Sequence, residues 1–315
     1  MKRILVVRLG AMGDIVHALP AVSSLRAAGD VRIAWIVKPQ FRELLEGGGI
    51  ADEVLEFRRG GLGPLLDSLR GLRRKPFDCA VDFQGLIQSA LVARLSGARR
   101  VLGFDSALLR ERAAGLFYHE RVNTDCVHVV EMNLDLAAAA GAPRRLLEFP
   151  LPEGREEGEL PRGPFLLASP FAGWGSKQWP LEHWLALAAL VRSELDLPLV
   201  FNVSPSQAAA LSGQSGVSGV SVHVSSISGL IHATRRAAAV IGVDSGPLHL
   251  AAALDRPGAA IYGPTDPLRN GPCSSRIRVL RHPSARTSYR RGAAPGPEML
   301  AIQPRDVLAA LREVL

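Results

Sequence analysis

Residues 3–17 read Arg3-Ile4-Leu5-Val6-Val7-Arg8-Leu9-Gly10-Ala11-Met12-Gly13-Asp14-Ile15-Val16-His17. Arg3–Val7 has the length and the β-branched content of a strand. Gly10 and Gly13 follow at once, and a helical pattern then runs from about Ile15 to Ala28. A strand that turns through glycine directly into a helix opens a βα unit. Its turn lets a ligand approach the free N–H groups at the helix start. The two glycines do not complete the dinucleotide fingerprint G-x-G-x-x-G, and the next apolar run, Ile33–Val37, ends in Lys38 instead of an acidic ribose contact. Both departures count against a nicotinamide-dependent oxidoreductase. Asp14 fits an N-cap, and from this turn alone the cap reading precedes a catalytic one.

Outward from this unit the alternation continues. A helical segment is expected near Phe41–Glu46, strands at Cys79–Phe83 and Arg100–Gly103, and a helix over Val130–Ala140 stopped by Gly141 and Pro143. Between Pro150 and Pro164 proline, glycine and acidic residues replace the periodicity, which is the texture of a linker. The βα pattern then restarts, with strands predicted at Phe165–Ser169, Leu199–Val203, Val220–Val224, Ala239–Val243 and Ala259–Tyr262. Helices are expected at Pro180–Glu194, Leu248–Ala253 and Pro304–Leu315, the last after an irregular Arg- and Pro-rich stretch, Pro283–Pro297. The expectation is an α/β protein of two parallel-sheet domains facing a cleft, where such sheets bind ligands. The domains are expected at 1–155 and 160–302, with the helix at 303–315 packing back on the first.

Length and composition agree: 315 residues suit two domains, and 47% hydrophobic residues suffice for two cores. No apolar run approaches a membrane span, and the N-terminal run of four before Arg8 is too short for an export signal. Cys79, Cys126 and Cys273 are odd in number and widely spaced, which argues for a reducing compartment and against a zinc site. The net charge of +7 comes with arginine-rich clusters such as Arg58-Arg59, Arg73-Arg74-Lys75 and Arg290-Arg291. Singly these are solvated helix ends. Collectively they favour an anionic substrate or membrane surface, because aromatics are only 5% and nothing resembles a nucleic-acid module.

Three loops of the second half could carry chemistry. In Trp174-Gly175-Ser176-Lys177-Gln178-Trp179-Pro180, a lysine in a glycine-containing loop after a strand suits a diphosphate, with Pro180 at the first helical position. In Asp244-Ser245-Gly246-Pro247-Leu248-His249, a strand ends in an aspartate and a helix begins near Pro247. The free N–H groups there form a second anion site, with His249 on the first turn. Asp244 could equally be a cap and His249 a packed polar residue. Tyr262-Gly263-Pro264-Thr265-Asp266-Pro267 reads as a rigid structural loop. No D-x-D triplet, P-loop or G-x-S-x-G elbow is present.

Five segments together resemble a known family: Arg8–Pro20, Asp82–Ala90 (D-F-Q-G-L-I-Q-S-A), Lys177–Pro180, Asp244–Leu254 and Tyr262–Pro267. In this order, over essentially the whole length, they are similar to the ADP-heptose:lipopolysaccharide heptosyltransferases of glycosyltransferase family 9. The segment at Asp82 and the run Leu109-Arg110-Glu111-Arg112 resemble most the type that adds the first heptose to Kdo. The resemblance implies an inverting, metal-independent enzyme of the GT-B fold without a cofactor, acting in the cytoplasm at the membrane surface. By position it makes Asp14 the general base, Lys177 the stabiliser of the departing ADP, and Asp244, Ser245, Gly246 and His249 the donor site. Gly13 and Arg110 fall on the side of an anionic Kdo-lipid A type acceptor. Ala172 and Gly173 stand where many members carry a threonine pair, and Gln207 stands near the expected acidic ribose contact. The nearest alternatives are a GT-B transferase with another nucleotide-sugar or acceptor, and a catalytically weak nucleotide-sugar-binding protein.

Overall fold

The computed structural model describes residues 1–58, 62–73, 76–211 and 220–315. Arg59, Arg74 and Lys75 of the basic clusters lie outside them. The chain divides into two compact units, Met1–Pro152 and Glu153–Leu315, and the break falls in the proline- and glycine-rich stretch.

The first unit holds β1 (Lys2–Val7), β2 (Val31–Val37), β3 (Glu53–Glu56), β4 (Cys79–Asp82), β5 (Arg100–Phe104) and β6 (Glu120–Val122), with α1 (Met12–Arg26), α2 (Leu62–Arg73), α3 (Ile87–Leu95) and α4 (Val129–Ala139). Its sheet runs β3-β2-β1-β4-β5-β6, all parallel. The chain therefore builds outward from β1 on one side, crosses over, and builds outward on the other. Helix α1 is buried on nearly every face from Ile15 to Leu25 and packs on α4. Its sequence is accordingly apolar all round instead of striped. The segment near Phe41 is a 3₁₀ helix, Pro39–Leu44, not an α-helix.

The second unit repeats the plan with β7 (Leu166–Ser169), β8 (Leu199–Val203), β9 (Val220–Val224), β10 (Ala239–Val243), β11 (Gly258–Tyr262) and β12 (Ile277–Arg281). Its helices are α5 (Leu181–Leu195), α6 (Ile227–Arg236), α7 (Gly246–Ala253), α8 (Pro267–Asn270), α9 (Pro297–Ala301) and α10 (Pro304–Arg312). The order β12-β11-β10-β7-β8-β9 is again all parallel. Trp184, Leu187, Val191 and Phe201 form its core with Val307, Leu308 and Leu311 of the last helix.

Two expectations are corrected here. The C-terminal helix, expected with the first domain, falls in the second compact unit: α10 packs on α5, β11 and β12, and Arg312 pairs with Glu194 at 2.5 Å. Nor is the linker a bare tether. Arg155 N–H donates to the Ser228 carbonyl (3.2 Å), and the Glu157 carboxylate accepts the Ser226 N–H and hydroxyl, each at 2.8 Å. Glu157 is partly buried, which raises its carboxyl pKa, but these bonds outweigh that and hold it below its ordinary value. The segment is the docked first strip of the second unit: Glu157 binds Ser226, and a Cβ on Gly154 would lie 2.5 Å from the Ser228 carbonyl oxygen.

Candidate active site

In each sheet the chain reverses its direction of growth beside the first strand: between β1 and β4 in one unit, and between β7 and β10 in the other. Loops leaving two neighbouring parallel strands in opposite directions open a crevice at the carboxyl ends, the usual ligand position in such folds. Every loop singled out from the sequence, apart from that of Tyr262, leaves one of these four strands.

In the first unit the loops after β1 and β4 are tied together. The Arg8 guanidinium donates to the Phe83 carbonyl, and Leu9 N–H donates to Gln84 Oε1 (2.9 Å). Gly10 has φ +150°, and a Cβ there would lie 2.6 Å from the Phe41 ring, so only glycine fits. Asp14 is not the N-cap: Ala11 holds that place, Asp14 sits two residues inside α1, and Gly13 is buried beside it. The Asp14 carboxylate accepts the Ala11 N–H (3.1 Å) and pairs with the buried Arg8 at 2.8 Å, yet its side chain remains 47% exposed. It is a carboxylate fixed from behind and open in front.

The D-F-Q-G-L-I-Q-S-A segment is explained by Asp82. This fully buried carboxylate accepts the Tyr118 hydroxyl (2.7 Å), the Ser89 hydroxyl (2.8 Å) and the N–H groups of Gln84 (2.9 Å) and Gly85 (3.3 Å). Burial raises its pKa, and the four donors offset that only in part. Asp82 thus shapes the turn that presents Gln84 to Leu9. Asp82→Ala strands a buried tyrosine hydroxyl and two amides, so urea denaturation should show a loss of about 3 kcal/mol. An unchanged midpoint would show that the turn holds its shape without the carboxylate.

In the second unit the anchor is Trp179. Its Nε1 donates to the Ile302 carbonyl (2.9 Å), and its ring packs edge-on against Trp184, which in turn meets Phe201. Pro180 is the N-cap of α5, one place before the expected position. Two residues ahead of this anchor, Lys177 Nζ lies 2.5 Å from Asp244 Oδ2 and 4.2 Å from the centre of the Trp174 ring. Asp244 is buried and also binds Thr265 Oγ1 (2.6 Å, on the same oxygen) and His249 Nε2 (3.3 Å, on Oδ1). Burial pushes its pKa up, but His249 and Lys177 together hold it well below the usual carboxylate range. Asp244 is therefore an ionised hub joining three loops, not a cap. Ser245 is the N-cap of α7, without a side-chain cap bond, and the helix starts at Gly246.

The structure thus brings Lys177, Asp244 and His249 together beside Ser245 and Gly246. It adds Thr265, which the sequence alone reads as part of a rigid structural loop. Gln207 closes its own turn, its amide oxygen accepting the Ser204 N–H (3.2 Å) and hydroxyl (2.9 Å). Arg110 is exposed on the first unit. Among the described residues no cluster of three or more His, Cys, Asp or Glu could hold a metal ion.

Two Rossmann-like units, each with its polar cluster at the switch point, define a GT-B glycosyltransferase. Residues 66–293 match the model of glycosyltransferase family 9 (heptosyltransferase), and the chain belongs to that family. Lipopolysaccharide heptosyltransferase 1 of Pseudomonas aeruginosa is 30% identical over 289 residues, covering 84% of this chain and 79% of that protein. The E. coli heptosyltransferase WaaC solved with ADP superposes with a TM-score of 0.81 at 25% identity, over 99% of this chain and 100% of that one. WaaC solved with ADP-2-deoxy-2-fluoro heptose gives 0.79 at 25% identity, over 99% of each.

Proposed function

We propose that this chain transfers heptose, with inversion and without a metal, from an ADP-activated donor to the anionic Kdo region of the lipopolysaccharide inner core. The observation that carries the reading is the pairing of Lys177 with an ionised Asp244 at the switch point of the second unit. Lys177, the α7 N-terminus and the Ser245 hydroxyl offer positive charge and donors to a diphosphate. A leaving group held in this way needs no metal for its charge. The relatives solved with ADP and an ADP-heptose analogue support the choice of nucleotide and sugar. In the first unit Asp14 takes the proton of the acceptor hydroxyl as that oxygen attacks the anomeric carbon. A catalytically weak binding protein would not need an open carboxylate held by Arg8 and Ala11. Melting curves with ADP, UDP and NAD test the donor: ADP at a hundred times its dissociation constant should add about 2.7 kcal/mol of stability. Stabilisation by UDP or NAD and not by ADP would replace the nucleotide.

Peripheral contact with an anionic lipid surface belongs to the same reading. No helix among the described residues is long and apolar enough to cross a membrane. The segment 111–119 lies along α3, because Ile87 N–H donates to the Glu111 carboxylate (2.8 Å) and Arg94 meets His119. Leu116 on this segment is 77% exposed, Ile87 and Leu91 on α3 are exposed too, and so are Arg94 on α3, Arg112 on the segment and Arg110 just before it. Apolar side chains set among arginines suit the interface of an acidic bilayer. Leu116→Asp should release the protein from vesicles containing acidic phospholipid, read by co-sedimentation. Equal retention of the variant would remove this face from the reading.

A further inference from the structure

Lys177 does not meet a diphosphate as an unshared charge. Its ammonium is already paired with Asp244, and the pair is close to neutral. A nucleoside diphosphate carries more than one negative charge at neutral pH, so a further protein cation beside the pair would join the α7 N-terminus in balancing it. The irregular stretch after β12 supplies one. Ser288 N–H donates to the Pro264 carbonyl (2.7 Å), next to Thr265. Ser176 N–H donates to the Gly292 carbonyl (3.1 Å), and Gly292 N–H donates back to Ser176 Oγ (3.3 Å). A Cβ on Gly175 would lie 1.9 Å from the Ala293 carbonyl oxygen, so glycine alone allows this approach. The strap 288–293 is thereby fastened to the two loops whose side chains, Lys177 and Thr265, hold Asp244.

Between those fastenings the Arg291 guanidinium lies 5.6 Å from the centre of the Trp174 ring, the same ring that carries Lys177 at 4.2 Å. Stacking on an aromatic face restrains a guanidinium without consuming its charge or its outer N–H donors. Arg291 is exposed and has no carboxylate partner among the described residues. We infer that Arg291 is the second cation of the donor site: held by Trp174, it binds the diphosphate alongside Lys177. Trp174 is then a positioning residue for both. The inference rests on the proposed diphosphate-binding role of the Lys177 loop and extends it to a strap that role did not include.

Titration calorimetry of the intact protein with ADP, AMP, adenosine and inorganic pyrophosphate provides the test. Arg291→Ala should weaken ADP and pyrophosphate about tenfold, AMP less, and adenosine not at all. The ADP loss should shrink as salt is raised, because the interaction is one of exposed charge. Arg291→Lys should recover part of the affinity. Trp174→Leu should reproduce the same order of losses. Equal weakening of ADP and adenosine would mean that the strap merely shapes the loop, and unchanged pyrophosphate and ADP binding would remove Arg291 from the site; either result overturns the inference. Wild-type binding of pyrophosphate and UDP without ADP would refute the adenine nucleotide alone. The Arg291 comparison with pyrophosphate would still decide the inference.

Discussion

Asp14→Asn is expected to lower turnover by about a hundredfold or more while the protein stays folded, the usual scale for loss of a general base. An alcohol attacking an anomeric carbon must lose its proton. Asp14 is the carboxylate at the head of α1, half exposed and steadied by Arg8 and the Ala11 N–H. Asparagine keeps an oxygen for the Ala11 N–H, so the first turn of α1 survives. It loses the ion pair with Arg8, which at this exposure is worth about 1 kcal/mol or less. Melting temperature should therefore fall by only a few degrees while turnover collapses. Near-normal turnover in the folded variant would leave Asp14 as a helix-start residue and nothing more.

Lys177→Ala should cut turnover by about a hundred- to a thousandfold, the scale for removing one preorganised partner of a developing charge. The loss should appear more in kcat than in the donor KM, because the diphosphate gains charge as the sugar departs. The variant should remain folded, since Thr265 Oγ1 and His249 Nε2 still hold Asp244, but it will be less stable at neutral pH. That difference has a definite pH dependence. The Asp244 carboxyl pKa is depressed in the folded protein, so its stabilisation is complete above the ordinary carboxylate range and is lost as pH falls through the depressed value. The gap in melting temperature between wild type and Lys177→Ala should therefore narrow in acid. A gap that widens in acid would mean that Lys177 supports the fold by some other contact.

The parts legible in the sequence were those encoded locally. The glycine turn after β1, the strand ending in Asp244 and the Lys-Gln-Trp-Pro run each announce a strand, a loop and a helix within a dozen residues, and the structure places all three at switch points. Strands β3 and β6 escape the sequence reading because they are short, half-exposed edge strands, and the edge strand β12 because Arg278 and Arg281 interrupt its apolar run. The cluster around Asp244 was only half legible for a different reason. Thr265 and Arg291 reach Asp244 and Trp174 through contacts between loops distant in sequence, and nothing in Tyr262–Pro267 or Pro283–Pro297 states which neighbour the fold will supply. The same holds for Glu157, whose acidic surroundings look like a solvated linker until Ser226 is placed beside it. The roles of Asp14 and Lys177 came from the family resemblance. The local sequence alone gave a cap and a loop lysine.

The most direct measurement of the central claim is the mass of the product formed by the purified protein from ADP-heptose and a Kdo-lipid A acceptor in the presence of EDTA. The account predicts that the acceptor gains one heptosyl residue, that ADP is released in equal amount, and that both products form at least about a hundredfold more slowly with Asp14→Asn or Lys177→Ala at matched protein concentration. No mass gain without added magnesium or manganese, with full activity when either is supplied, would contradict the assignment of the leaving-group charge to Lys177.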